Sequence, residues 1–255
     1  MPASYAHYRF GKQLLPELPP DVRQCIQRFR RMYDMGLQGP DFFFYYNPFM
    51  TTSTGELGKF FHRQSGQAFF PVACKAAVSD AARAYLYGLL AHYCLDSVCH
   101  PFVNRLVEIQ EAEHVPLESE FERFLLVLDK EPSPETFDMS KYFKLTRGEC
   151  MSVAAFYPGS TGGKVFRSIR LMALFTRFLA QPNRTRQMQL LQKFKSGFLD
   201  YKIPSEENRD LAPYIRELHD LYRQALTNYP QLLAQVTQHL KTGADFGEDF
   251  AADFG

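Results

Sequence analysis

"VACKAAVSDAARAYLYGLLAHYCLDSVCH", residues 72–100, carries its apolar side chains in helical order rather than in strand alternation. Ala81, Tyr85, Gly88, Leu89, His92 and Asp96 fall on or near one face when the stretch is wound at helical pitch. The spacing predicts a long element from about Val72 to His100. This reading decides the fold class, because the same period recurs on both sides and alternating strand patterns are nearly absent.

Upstream, "PPDVRQCIQRFRRMYDMG" (19–36) reads as a helix with Asp21 as its N-cap and Gly36 as its end. "GELGKFFHRQSGQAFF" (55–70) reads as helical, and the aromatic "GPDFFFYYNP" (39–48) as a loop punctuated by Gly and Pro. Downstream, helices are expected over 114–129, 162–181, 183–198 and 205–241, the last interrupted near Pro230. "EPSPETFDMS" (131–140) reads as a loop. The expectation is one all-α domain of seven to nine helices over 1–241. The acidic, glycine-containing stretch 242–255, "GADFGEDFAADFG" at its core, is expected to be a solvated, frayed tail.

Composition narrows the function classes. A net charge of +1 among interspersed acids and bases offers no extended basic groove, so no stable nucleic-acid complex is expected. The five cysteines include no Cys-x-x-Cys pair, which disfavours a thiolate zinc cluster. The first twenty residues have no signal-peptide pattern, and no apolar run is long enough to span a membrane, so a cytoplasmic, reduced protein is expected. The oligomeric state is not legible.

The chemistry sits on histidines and carboxylates at helical spacing. His92, Asp96 and His100 recur every four residues. Residues four apart rise about 6 Å on one helix face, so His92/Asp96 and Asp96/His100 can each hold an ion between them. His92 and His100 lie about 12 Å apart along the axis, too far to share an ion with bonds of about 2.0–2.1 Å. "HVPLE" adds His114 and Glu118, again four apart. The pattern calls for at least two ions, one at His92/Asp96 and one at His100/His114/Glu118. The chain must then turn back between His100 and His114, and Pro101 is the obvious breaker. Imidazole and carboxylate donors without thiolate suit zinc, and also manganese or iron. His219-Asp220 lacks a second histidine pair, which leaves a phosphohydrolase of the His-Asp type without support.

These residues, with His7, Asp41 of "GPDFF" and His62 of "FFHRQ", resemble the zinc-dependent phospholipase C family, all-α bacterial enzymes related to S1/P1 nucleases. The His-x-x-x-Asp, the fourteen-residue gap and the His-x-x-x-Glu carry the resemblance, which covers about the first 120 residues. It implies a first zinc among Asp41, His62, His92 and Asp96, and a second among His100, His114 and Glu118. It also implies a third ion near His7 and Asp96, completed in secreted members by a freed terminal amino group, for which this chain has Met1 or the imino group of Pro2. The implied activity is phosphodiester hydrolysis by metal-activated water, with Asp41 orienting or deprotonating that water and a phosphoester, such as a phospholipid, as substrate. Asp41 also reads as a turn-capping aspartate, and the aromatics around it as core or pocket lining. Nuclease activity and a non-catalytic metal-binding or sensory domain are the alternatives.

Overall fold

The stretch 72–100 is two helices rather than one. In a computed structural model the described residues are 4–47, 50, 52–194 and 198–255. Among them all regular structure is helical: α1 (Ser4–Leu14), α2 (Pro20–Arg28), α3 (Arg30–Gly36), α4 (Ser53–His62), α5 (Gly66–Ala76), α6 (Asp80–Glu108), α7 (His114–Leu128), α8 (Arg147–Ala154), α9 (Gly162–Leu179), α10 (Thr185–Phe194) and α11 (Ala212–Thr242). Tight 3₁₀ turns join several of these, the longest over Gly39–Tyr46. The all-α expectation holds, with more and shorter helices than the periodicity suggested. Pro48 and residues 195–197, which fall in segments read from the sequence, lie outside the described residues.

The differences have local causes. Ser79 accepts the Ala82 N–H at 3.2 Å, the N-cap that separates α5 from α6. Phe29 leaves helical geometry and splits 19–36 into α2 and α3, while Asp21 lies in the first turn behind an N-terminal proline. Pro101 and Pro230 both sit inside continuous helices. Both are exposed, so water reaches the hydrogen bond that each proline removes. The chain instead turns at Ile109–Glu113, where Gln110 takes φ 59° and the N–H of Glu111 reaches back to the Leu106 carbonyl at 3.0 Å.

Helix α6 is the axis of the fold. Every residue from Ala84 to Asp96 is buried, which requires cover on all sides. Helices α1, α2, α3, α5, α7 and α11 all pack on it. The closest approach is to α3. A Cβ on Gly88 would lie 2.2 Å from the Tyr33 carbonyl oxygen, and one on Gly36 would lie 2.3 Å from that of Tyr85. Two backbones thus cross almost in contact, and the chain leaving α3 enters the 3₁₀ turn directly against the next turn of α6. Gly39 in that turn has φ 48°, and a Cβ there would strike the His92 ring at 2.2 Å.

The stretch 242–255 is not solvated along its length. Phe246, Phe250 and Phe254 are buried while the acids between them are exposed. Three phenylalanines four residues apart form an apolar stripe, and burying each contributes about 1.5–3 kcal/mol. That outweighs the polarity of the intervening residues. Among the described residues no helix is long and apolar enough to cross a membrane.

Gly88→Ala separates packing from propensity. Alanine favours a helix interior by about 1 kcal/mol, but the new Cβ meets backbone. The expected outcome is a net loss of about 1–3 kcal/mol in urea unfolding, with a gain in stability counting against the crossing.

Candidate metal centre

Three donors come from α6, because His92, Asp96 and His100 share one buried stripe of that helix. His114 and Glu118 open α7, which follows the 109–113 turn, and the His100 and His114 rings lie 5.5 Å apart. His7 comes from the middle of α1, Asp41 from the 3₁₀ turn and His62 from the last residue of α4. All eight candidates converge. Donor atoms fall within 4.8 Å of one another in three groups: His7/Asp41/His92, His62/His92/Asp96 and His100/His114/Glu118. Seven of the eight are buried and His114 is half-buried. Met1 and Pro2, named above for a third ion, lie outside the described residues.

The separations fit a cation. Donors at about 2.0–2.1 Å from one tetrahedral zinc stand roughly 3.3 Å apart. His92 Nε2 lies 3.0 Å from Asp96 Oδ2, and His7 Nε2 and His100 Nε2 lie 3.2 and 3.3 Å from Asp96 Oδ1. His114 Nε2 is 3.1 Å and His100 Nε2 3.9 Å from Glu118 Oε1. His92 Nε2 is 4.0 Å and His62 Nε2 2.8 Å from Asp41 Oδ1.

Tautomers sharpen the case. His62 Nδ1 is 2.7 Å from the Gly58 carbonyl, and His92 Nδ1 is 3.2 Å from that of Leu37. A carbonyl oxygen only accepts, so each Nδ1 carries a proton and each Nε2 is the ring atom left to face a carboxylate. Two lone pairs face each other unless a second proton or a cation lies between them. His92 Nε2, Asp96 Oδ2 and Glu118 Oε2 are buried without a hydrogen-bond partner, which costs about 1–3 kcal/mol for each group left so. A backbone carbonyl behind the ring is also how metal-binding histidines are commonly oriented.

Burial opposes ionisation of the two aspartates, and neighbouring positive charge overcomes it. Asp41, buried beside His92 and His62, is held below the ordinary carboxylate range. Asp96, beside His92, His100 and His7, is held well below the carboxylate range. Burial presses His100 toward neutrality, but Asp96 and Glu118 pull it up to about 9. An ion at His100 therefore displaces a proton.

The aromatics near Asp41 are core. Phe42, Phe43, Phe61, Phe69 and Phe70 are buried, and only Phe60 of that set is exposed. Glu122 is a residue that the sequence reading missed. It stands one turn beyond Glu118 on α7, buried, and accepts the backbone N–H of Tyr5 in the first turn of α1. It satisfies a donor that the helix start leaves unpaired. Farther along, Tyr5 donates to Asp129 at 2.6 Å and Arg9 pairs with the same carboxylate. Glu122 and Asp129 together fix α1 on α7 and so carry His7 to Asp96. The i+4 step from Glu118 was a signal for it.

Burial raises Glu122 from 4.5 to about 8, against the lowering effect of the Tyr5 N–H. Between those values the native state binds a proton that the unfolded chain has lost, so this group makes stability fall as pH rises through the window. The slope approaches 1.4 kcal/mol per pH unit at most. Glu122→Gln keeps an acceptor for Tyr5 and does not titrate. Urea unfolding at intervals from pH 5 to 8 is expected to give a flatter profile for the variant, and parallel profiles would count against the assignment.

Neither a curated protein nor a solved structure matches the chain significantly. Residues 6–156, more than half of the 255, match the family described as zinc dependent phospholipase C. The matched span contains every residue of the three donor groups. A helical fold, a metal-ready cluster at its axis and this match agree: the chain belongs to the zinc-dependent phospholipase C family.

Proposed function

We propose that the protein is a metal-dependent phosphodiesterase of phospholipase C type. The observation that carries this reading is the convergence of the Nε2 atoms of five histidines on the buried carboxylates of Asp41, Asp96 and Glu118. His62, His92, Asp96 and Asp41 would hold one zinc, and His100, His114 and Glu118 a second. His7, beside Asp96 and Asp41, extends the cluster toward a third. Zinc held there supplies Lewis acidity for a phosphoryl oxygen and lowers the pKa of water toward about 7.

The protein's own groups do the rest. Asp41 is ionised across the physiological range and oriented by the His62 ring, so it orients the attacking water and takes its proton. The carbonyls of Gly58 and Leu37 lock the rings of His62 and His92. Burial of the donors strengthens each charge interaction among them. A phosphodiester with a lipid headgroup is the substrate class we favour. The charge balance of +1 offers no track for a nucleic-acid backbone.

The test is zinc content by elemental analysis beside hydrolysis of p-nitrophenyl-phosphorylcholine and bis-p-nitrophenyl phosphate. Chelator is expected to abolish turnover and added zinc to restore it. His92→Ala is expected to lose metal and about 10²–10³ in rate, and Asp41→Asn about 10²–10⁴ in kcat with KM little changed. Stoichiometric zinc without turnover on either ester would favour a metal-binding domain without catalysis. Less than one zinc per chain after reconstitution would overturn the reading.

A further inference from the structure

The segment 244–255 lies outside the family match, yet it reaches the metal centre. Its three phenylalanines are spaced along one path. Phe246 stacks on His239 at 4.7 Å and meets Phe70, and Phe250 lies parallel to Tyr93 at 5.5 Å. Phe254, fully buried, meets Phe69 and Tyr93 at 5.2 and 5.0 Å. The same ring then lies 6.1 Å from the His62 ring and 6.0 Å from the His92 ring.

Backbone bonds fix the path in register. The Gly66 N–H and the Tyr93 hydroxyl both donate to the Ala252 carbonyl, at 2.9 and 3.0 Å. The Phe254 N–H donates to the carbonyl of His62 at 2.9 Å, where α4 ends and its last carbonyls lack partners within the helix. Gly255 then lies so close to His100 that a Cβ built on it would be 2.2 Å from that histidine's Cβ. The segment thus touches His62 and His92 of one proposed ion set and His100 of the other.

None of these contacts uses a donor nitrogen. The Nδ1 atoms of His62 and His92 face the Gly58 and Leu37 carbonyls, and their Nε2 atoms face the carboxylates. What the segment supplies is a wall. Ligands must be held to within roughly 10–20° of productive orientation, and hydrogen bonds fix only an edge of each ring.

We infer that the end of this segment, residues 252–255, is a working part of the metal centre, with Phe254 as a positioning residue that seats His62 and His92 for metal binding. This rests on the metal reading above. Phe246 provides the control, because it is buried in the same segment against α5 and α11 and touches no candidate ligand.

The experiment compares Phe254→Ala, Phe254→Leu and Phe246→Ala in the full chain. The readouts are zinc dissociation against a competing chelator, the visible spectrum of the cobalt-substituted protein, and Tm. Phe254→Ala is expected to weaken zinc binding about 10- to 100-fold and to change the cobalt spectrum. Phe246→Ala is expected to lower Tm while leaving both metal readouts at wild-type values. Phe254→Leu, which keeps apolar volume, is expected to recover most of the affinity and secures the comparison where the alanine variant does not fold. Equal zinc affinity in the wild type and both Phe254 variants would overturn the inference and leave the metal reading standing. Faster phosphodiester turnover in Phe254→Ala would also overturn it, since the segment would then be a cover rather than a support. Absence of zinc from the wild type would overturn both.

Discussion

The carboxylate of Asp96 is the constraint on which the rest depends. It is buried, and its two oxygens face three imidazoles: His92 on Oδ2, His7 and His100 on Oδ1. A charge in that position costs several kcal/mol of desolvation unless positive charge surrounds it. Two of its neighbours stand one turn away in each direction on its own helix, and the third arrives on α1. The interior of α6 can hold such a group only because protons or cations balance it. His100, pulled up to about 9, supplies a proton at neutral pH. An ion entering there exchanges with that proton, so metal loading and the stability of the core are linked.

Around that carboxylate the helix assembly is explicable in order. The Gly36/Gly88 crossing sets α3 against α6, and the positive φ of Gly39 turns the chain so that Asp41 meets the next turn of α6. The Thr52 side chain caps α4, and α4 ends at His62. Glu122 and Asp129 tie α1 to α7, which brings His7 in from the other side. Each donor away from α6 therefore arrives at a helix end, in a tight turn or on a clamped helix. An immobile scaffold of this kind limits the reorganisation that charge development would otherwise require.

Much of this was legible in the sequence, for one physical reason. Side chains four apart share a helix face, so His92/Asp96/His100 and His114/Glu118 announced themselves without knowledge of the fold. What joins those pairs was not legible. The turn falls at Ile109–Glu113 and not at Pro101, because an exposed proline can be absorbed while a residue such as Gln110 at φ 59° carries no strong mark in sequence. Asp41 drew attention through resemblance, since its approach to His92 depends on a backbone crossing that no local pattern encodes. Glu122 was overlooked because its partner is a backbone N–H far away in sequence. In 242–255 the acids and glycines masked a regular phenylalanine repeat. Mean polarity was the wrong quantity there, and spacing was the right one.

That repeat bears on how far the ligand-bearing region stands alone. Residues 6–156 contain every candidate ligand, but α6 is buried on all sides from Ala84 to Asp96 and part of its cover comes from beyond that region. Cys94 on α6 lies 3.3 Å from the Ala225 carbonyl of α11, and Tyr229 of α11 donates to the Tyr87 carbonyl at 3.0 Å. Phe250 and Phe254 close the face that carries Tyr93. All of these belong to one continuous apolar cluster running from Tyr5 to Phe254. Removing the later helices would expose the flank of the helix that carries His92, Asp96 and His100. The donors can converge only while α6 is packed all round, so the non-ligating part of the chain is as necessary to the site's geometry as the ligands are to its chemistry.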